Sequence, residues 1–174
     1  PADVTTAIEM ILNAKNPLIY AGEGVIYAGA SAELKSFAEL VNTPVITTLK
    51  AKGAFPENHP LFVGVRGDQV NHFLNKSDLV LAVGSSLSPG RFSHAIPNAV
   101  NKTIIHCTVD ELHINKAYPT ATALIGDARL ALQALVKELS DKTSGSGRPP
   151  GDVAAEIKSA RDEAMVKYLE AMAS

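Results

Sequence analysis

Short apolar runs alternate with segments whose apolar residues recur at helical spacing, and this alternation constrains the fold of the 174-residue chain more than any other feature. The segment from Leu34 to Val41 places apolar residues at i, i+3, i+4 and i+7, which predicts an amphipathic helix with Ser31 as its N-cap. The short runs are apolar on both faces of a strand, as in parallel sheets covered by helices on both sides. They occur at 18–21, 45–47, 79–83, 103–109 and 122–126.

We therefore predict an α/β fold, with a doubly wound, mainly parallel sheet of five to six strands and helices on both faces. This Rossmann-like domain is expected to occupy residues 1–140. The alternative is an α+β domain with an antiparallel sheet, which the patterning of the strands disfavours.

The composition changes after Ser140. Residues 141–151 are rich in glycine, serine and proline and predict a flexible linker. Residues 152–174 predict a final helix that leads towards a domain absent from this chain. Because Pro1 is not a natural start, we expect the chain to be an excised fragment or a processed product. The apolar stripe of the final helix must pack on something, and it comprises Val153, Ile157, Ala160, Ala164, Tyr168 and Met172.

Composition excludes several classes of protein. The net charge of −2 leaves no broad basic field for nucleic acid. No apolar run approaches the roughly 20 residues that a membrane span needs, and no signal peptide is visible. The single cysteine, Cys107, allows no internal disulfide and fits a reducing compartment, so we expect a cytoplasmic location. His106, Cys107 and His113 lack a fourth ligand at zinc spacing, so no metal site is predicted.

A glycine turn follows the first predicted strand, at Gly22-Glu23-Gly24. A dinucleotide fingerprint requires a third glycine three residues later, whereas the next one here is Gly29, two positions late. The second strand ends in Thr47-Thr48 rather than in the acidic residue that holds a ribose. Both departures disfavour a nicotinamide-binding domain. Two interpretations of the glycines stay open, a tight turn with positive φ and a phosphate-binding loop.

Four motifs together resemble the central domain of the thiamine-diphosphate-dependent enzymes. They are the glycine turn, the run from Thr47 to Gly64, the strand from Asp78 to Gly84, and Val109-Asp110. The family includes acetolactate synthase, pyruvate oxidase and benzoylformate decarboxylase, and the chain is most similar to the acetolactate synthases. The resemblance extends from the first helix to Leu139 and implies a domain that lies between two catalytic domains and does no chemistry itself.

The resemblance also implies the cofactors and partners of the parent enzyme. That enzyme would act on a 2-oxo acid and form a homo-oligomer. Its pyrimidine-binding and diphosphate-binding domains, in the same polypeptide, would hold thiamine diphosphate and magnesium. Gly126-Asp127-Ala128 lacks the second glycine of the family's magnesium motif, so Asp127 is interpreted as a helix cap or a ribose contact. No catalytic residue is therefore expected in this chain.

Some family members bind FAD or ADP along the carboxyl edge of this sheet, and others bind neither. Acetolactate synthases carry an arginine in the loop after the strand that ends at Gly84, where this chain has Ser86. Two interpretations stay open: Arg91 substitutes as the partner for phosphate, or the nucleotide site is vestigial and the domain is purely structural. The positions that match the flavin contacts are Gly22, Glu23, Gly24, Thr48, Leu49, Lys50, Gly64, Gly67, Gly84, Ser85, Ser86, Asp110 and Asp127.

A hypothesis from a different class also stays open. The chain could be a free-standing dinucleotide-binding module related to the transhydrogenase or sirtuin-like sheet. Such a module would bind its ligand without partner domains, whereas a central domain alone should bind weakly or not at all.

Overall fold

The computed structural model describes residues 2–90 and 93–173. The helices in this part of the chain are α1 (Ala2–Asn13), α2 (Gly24–Tyr27), α3 (Ser31–Val41), α4 (Asp68–Lys76), α5 (Ala128–Thr143) and α6 (Val153–Ala173). The strands are β1 (Pro17–Ala21), β2 (Val45–Thr47), β3 (Phe62–Gly64), β4 (Leu79–Val83), β5 (Thr103–Thr108) and β6 (Thr122–Ile125). Single 3₁₀ turns lie at Leu49–Ala51, Ala99–Asn101 and Glu111–His113.

The strands form one sheet in the order β3-β2-β1-β4-β5-β6, and each neighbouring pair is parallel. The predicted doubly wound parallel sheet is confirmed, and the antiparallel alternative is wrong. The crossovers β1 to β2 and β3 to β4 run in opposite directions across the sheet. Because both are right-handed by the usual rule, their helices α3 and α4 cover opposite faces. Consistent with this, α3 packs with α5, whereas α4 packs with α6.

Burial explains why the sequence forms these elements. Every residue of β1 and β4 is buried, as expected for central strands between two helical layers. The predicted stripe of α3 is confirmed, since Leu34, Phe37 and Val41 are buried. Asn42 ends this helix in the left-handed conformation, with φ at 51°, which satisfies the last carbonyl groups.

The sequence predicted five to six strands and did not locate the sixth, which is β3. It has three residues, and its pairing with β2 is irregular, since Val45 faces Phe62 while the adjacent Ile46 faces Gly64. It lies at one edge of the sheet. A strand this short carries too little periodicity to stand out from the loop around it.

Residues 144–152, which we call the strap, cross the amino-terminal edge of the sheet between α5 and α6. The backbone N–H of Arg148 donates to the carbonyl of Leu40 at 2.8 Å. Its guanidinium donates to the carbonyls of Ala14 and Lys15 at 3.0 and 2.9 Å, just beyond the end of α1. The strap is therefore held by hydrogen bonds to α1 and α3, although its flexibility and the predicted division into three units stay predictions.

The first half of α6 packs on the sheet domain. Ile157 is buried in the core, and Val153 and Ala160 pack against it. Arg161 donates to the carbonyl of Phe62 at 3.3 Å and lies over the ring of the same residue, at 6.0 Å from its centre. The helix thus covers the edge strand β3. Within the described residues, none of the helices combines the length and the apolar character needed to cross a bilayer.

Candidate functional site

The strand order reverses between β1 and β4, and the carboxyl ends of these two strands form a crevice. The turn from Gly22 to Gly24 follows β1, and the turn from Gly84 to Ser86 follows β4. Since ligands of open α/β sheets bind at such a switch point, the predicted site residues converge on the expected place.

The two turns pack backbone against backbone. A Cβ atom on Gly22 would lie 2.3 Å from the carbonyl oxygen of Gly84, and one on Gly24 would lie 2.7 Å from its Cα. Gly84 itself has φ at +65°, and a Cβ there would lie 2.7 Å from the nitrogen of Val25. Gly22 and Gly24 do not have positive φ, so the interpretation of these glycines as a turn with positive φ is wrong. Close approach to Gly84 is what requires them.

The amide groups of both glycines in this turn are already paired. The N–H of Gly22 donates to the carbonyl of Val83 at 2.8 Å, and the N–H of Gly24 donates to the carbonyl of Gly84 at 2.9 Å. A phosphate-binding loop needs these groups directed at the ligand. The glycine turn therefore does not fit a diphosphate held by these two N–H groups.

A cavity of about 570 Å³ opens at this edge of the sheet. Its volume lies within the range of about 300–1,000 Å³ that is usual for small-molecule sites. Nine of the predicted site residues line it, namely Gly22, Glu23, Gly24, Thr48, Lys50, Gly84, Ser85, Ser86 and Asp127. Residues that the sequence did not indicate include Tyr27, Ser88, Ser93, Thr108, Val109 and His113.

Carboxylates outnumber fixed cations among the described lining residues. The lining contains two carboxylates, Glu23 and Asp127, and one lysine, Lys50. The Nζ atom of Lys50 lies 3.6 Å from Oε1 of Glu23, so its charge is already partly balanced. Tyr27 donates its hydroxyl to the other oxygen of Glu23 at 3.5 Å. This charge balance opposes the approach of an anionic ligand.

The two predicted ribose contacts have structural partners. Asp127 caps α5, since its Oδ1 accepts from the N–H groups of Arg129 and Leu130 at 2.9 and 3.1 Å. The predicted helix cap is therefore confirmed. Asp110 accepts from the N–H of Leu112 at 2.9 Å at the start of a 3₁₀ turn. A ribose contact by either carboxylate stays a prediction.

Four of the predicted residues that the structure describes lie outside the cavity lining, namely Asp110, Leu49, Gly64 and Gly67. Leu49 belongs to a 3₁₀ turn and is 44% exposed. Gly64 and Gly67 pack around the side chain of Gln69 near the edge strand β3. Arg91 lies outside the described residues, so its role towards phosphate stays a prediction.

The loop after β4 is held at both ends. Nε2 of His106 donates to the carbonyl of Ser85 at 2.7 Å, which assigns the Nε2-protonated tautomer. Burial lowers the pKa of this histidine, and the hydrogen bond to Ser85 opposes that shift. At the other end, the buried hydroxyl of Tyr20 accepts from the N–H of His94 at 3.3 Å. The loop is thus fixed on each side of its cavity-lining part.

Cys107 lines the cavity, and its side chain is buried. Burial, followed by the nearby charge of Asp127, raises the pKa of the Cys107 thiol to about 12. A thiolate nucleophile requires the opposite shift. Over residues 2–90 and 93–173, no three His, Cys, Asp or Glu side chains are grouped so that they could hold a metal ion.

Sequence patterns carried little signal for the missed lining residues. Tyr27 follows the glycine turn by three positions and faces the cavity because α2 is a single turn. Thr108 and Val109 lie at the end of a predicted strand, where only Asp110 is predicted as a site residue. A rule that takes every residue within two or three positions of a strand's carboxyl end would have found Thr108 and Val109 but not Tyr27, which lies six positions beyond the end of β1.

A second cleft, of about 700 Å³, lies at the opposite edge of the sheet. The strap, Lys15 and Lys76 contribute to its walls. It is larger than the carboxyl-edge cavity but distant from the switch point, and several of its charged groups are engaged. Lys76, for example, forms an ion pair with Glu156 at 2.6 Å.

Comparison with known proteins agrees with the fold. Residues 4–135 match the family described as "Thiamine pyrophosphate enzyme, central domain". The chain is 37% identical over 138 residues to the acetolactate synthase large subunit of Corynebacterium glutamicum, covering 77% of this chain and 22% of that protein. It is 33% identical over 152 residues to the glyoxylate carboligase of Escherichia coli O157:H7, covering 84% of this chain and 26% of the relative.

A solved structure shows the same fold. Benzoylformate decarboxylase from Polynucleobacter necessarius superposes with a TM-score of 0.68 at 24% identity, over 88% of this chain and 28% of that one. The chain spans about a quarter of the length of the curated relatives that it matches. The match covers most of the chain and names one kind of domain, so the alternative of a transhydrogenase or sirtuin-like module is not supported. The chain belongs to the family of thiamine pyrophosphate enzyme central domains.

Proposed function

We propose that this chain works as a non-catalytic, architectural domain of a longer thiamine-diphosphate-dependent enzyme that acts on a 2-oxo acid. One observation carries the proposal. The ionisable and nucleophilic side chains at the carboxyl edge are engaged in holding the fold. His106 fixes the loop after β4, Asp127 caps α5, and Cys107 is a buried thiol of raised pKa.

The rest of the parent enzyme follows from the same proposal. Pyrimidine-binding and diphosphate-binding domains of the same polypeptide would hold thiamine diphosphate and magnesium and would carry the chemistry. This domain would link them and keep their separation constant. A homo-oligomeric parent and a cytoplasmic location stay predictions, as does the absence of contact with nucleic acid.

The carboxyl-edge cavity is the place where FAD or ADP would lie, and its residues fit only part of such a ligand. The space, the exposed ring of Tyr27 and the hydroxyls of Ser88 and Ser93 suit an aromatic base and a sugar. The diphosphate would meet paired N–H groups and the carboxylate of Glu23. We therefore expect weak adenine-nucleotide binding and loss of added flavin on desalting.

The first test is the absorbance spectrum of the purified chain, recorded before and after addition of FAD and desalting. A spectrum without a flavin band both times is expected. A stoichiometric band after desalting would contradict the weak fit. The variant Glu23→Gln removes the opposing carboxylate and should tighten ADP by about fivefold, whereas Glu57→Gln, a change outside the cavity lining, should leave it unchanged.

The second test addresses the catalytic cofactor. Titration calorimetry with thiamine diphosphate and magnesium should give no heat of binding, because the domains expected to hold this cofactor are the catalytic ones. Binding at micromolar concentration would refute the assignment of a non-catalytic domain.

A further inference from the structure

Three side chains at the end of β5 form one polar group beside the carboxyl-edge cavity. Nδ1 of His113 lies 3.3 Å from Oγ1 of Thr108, and Nε2 of the same ring lies 3.5 Å from Oδ2 of Asp110. Thr108 and His113 line the cavity, whereas Asp110 lies outside its lining. The group therefore connects a titratable ring to the cavity wall on one side and to a carboxylate on the other.

The two partners of His113 assign the neutral form of its ring. The carboxylate of Asp110 can only accept, so Nε2 carries the proton and Nδ1 is left as an acceptor. The hydroxyl of Thr108 then donates to Nδ1, while its oxygen accepts from the backbone N–H of Asp110 at 3.2 Å. In this state the hydroxyl hydrogen of Thr108 is used within the group and is not offered to the cavity.

Protonation of His113 changes both the charge of the ring and what Thr108 can donate. A charged imidazole donates from both nitrogens, so Nδ1 turns from an acceptor into a donor towards Thr108. Oγ1 of Thr108 then accepts two hydrogen bonds, and its own hydrogen is released for an oxygen atom of a ligand. Imidazole is the side chain that gains its charge between pH 8 and pH 5. One proton thus adds a positive charge and a hydrogen-bond donor to the cavity wall.

The added charge is large relative to the balance of the described lining residues. Glu23 and Asp127 contribute two negative charges and Lys50 contributes one positive charge. The sum is therefore −1 with His113 neutral and zero with His113 protonated. The change is one unit whether or not Asp110 shares the proton. Protonation at this position thus removes the net charge that opposes an anionic ligand.

The ionisable neighbours of His113 do not replace it in this role. Asp110 lies on the same 3₁₀ turn, and His106 lies on β5. Burial lowers the pKa of His106, with a smaller contribution from the charge of His113, so His106 gains its proton at a lower pH than an exposed histidine. His106 also lies outside the cavity lining, and its Nε2 donates to the carbonyl of Ser85. Proton uptake at the cavity wall in mildly acidic solution is therefore assigned to His113.

We propose that protonated His113 is the cation that meets the phosphate of a nucleotide in the carboxyl-edge cavity. Affinity for a nucleotide then rises as the pH falls, whereas affinity for the uncharged nucleoside does not change. This inference rests on the proposal that FAD or ADP would lie in this cavity. It gives the diphosphate a partner that the paired N–H groups of Gly22 and Gly24 do not provide.

Titration calorimetry with ADP-ribose and with adenosine, each at pH 8 and at pH 5.5, tests the proposal on the chain as it exists. The diphosphate of ADP-ribose keeps its charge over this range, so a change in its affinity reports on the protein. ADP-ribose should bind about fivefold more tightly at pH 5.5, as expected for unit charges in contact at a wet surface. The affinity for adenosine should change by less than about twofold, because adenosine carries no charge for His113 to meet.

Two variants separate the charge of His113 from its place in the fold. His113→Gln cannot gain a proton, so its affinity for ADP-ribose should change by less than about twofold between the two pH values. His113→Lys carries a fixed charge and should bind ADP-ribose at pH 8 about as tightly as the native chain does at pH 5.5. His72→Gln is the matched control, since His72 pairs with Glu156 outside the cavity lining, and it should keep the native pH dependence.

The results distinguish two kinds of failure. If adenosine binds and the affinity for ADP-ribose does not change with pH, the role of His113 is overturned while the nucleotide cavity stands. The same conclusion follows if His113→Gln keeps the native pH dependence. If neither ligand binds at either pH, the nucleotide cavity is overturned and this inference with it. Circular dichroism at each pH checks that every variant is folded.

Discussion

Replacement of Gly22 by alanine probes the contact between the turns after β1 and β4. A Cβ atom at this position would lie 2.3 Å from the carbonyl oxygen of Gly84 and 2.6 Å from the Cα of Ser85. Ordinary contacts begin at about 3.4 Å, so one turn must move by about 1 Å. Both obstacles are backbone atoms, which no side-chain rotation can relieve.

The expected loss of stability follows from this displacement. Overpacking of this kind costs about 1–3 kcal/mol. The shift also strains the hydrogen bonds from Gly22 to Val83 and from Gly24 to Gly84, each worth about 1 kcal/mol. We therefore expect Gly22→Ala to lower the free energy of unfolding by about 3–5 kcal/mol, a large part of the total for a domain of this size.

Urea unfolding followed by circular dichroism measures this change directly. With an m-value of about 2–3 kcal/mol/M, the midpoint should fall by more than 1 M. Gly151→Ala is the matched control, because nothing lies within 4 Å of a Cβ there, and its stability should change by less than about 0.5 kcal/mol. If Gly22→Ala lost less than about 1 kcal/mol, these glycines would serve a ligand rather than the packing of the two turns.

Three further predictions concern ionisable groups at the same edge. Because the pKa of the Cys107 thiol is raised to about 12, its alkylation by iodoacetamide at pH 8 should be at least a hundredfold slower than in urea; equal rates would contradict its burial. The pKa of His106 is lowered in the folded state, so the unfolded chain binds more protons and stability should fall as pH drops below about 6.5. His106→Gln should reduce the difference in unfolding free energy between pH 8 and pH 5, and an undiminished difference would remove His106 as a cause. Asp127→Ala should cost about 1 kcal/mol through loss of the α5 cap, whereas Asp127→Asn should cost much less; equal losses would argue against capping.

Most of the fold could be predicted because the central elements obey simple periodicities. β1 and β4 are buried on both faces, and the stripe of α3 follows the helical repeat. The strand β3 was not assigned from the sequence, because a strand of three residues is too short to show a periodic pattern. Its pairing with β2 is also irregular. The hydrogen bonds of the strap could not be predicted for a different reason, since Arg148 donates to carbonyls that are more than 130 positions away in the sequence.

The candidate site was predictable in position but not in chemistry. Loops after parallel strands meet at one edge, so nine expected residues line one cavity. Sequence could not show that the N–H groups of Gly22 and Gly24 are paired with the turn after β4. It also could not show that Lys50 faces Glu23, because that contact depends on how two separate turns meet.

The packing of α6 against the edge strand β3 has a consequence for where this chain can be truncated. The residues that match the family end at 135. Arg161, whose side chain donates a hydrogen bond to the carbonyl of Phe62, lies beyond that end. A chain cut after Ser140 would keep every strand yet expose the outer edge of β3 to other molecules. Open strand edges recruit further strands, so such a fragment should aggregate. The unit that the family shares is therefore smaller than the unit in which β3 is contacted by α6.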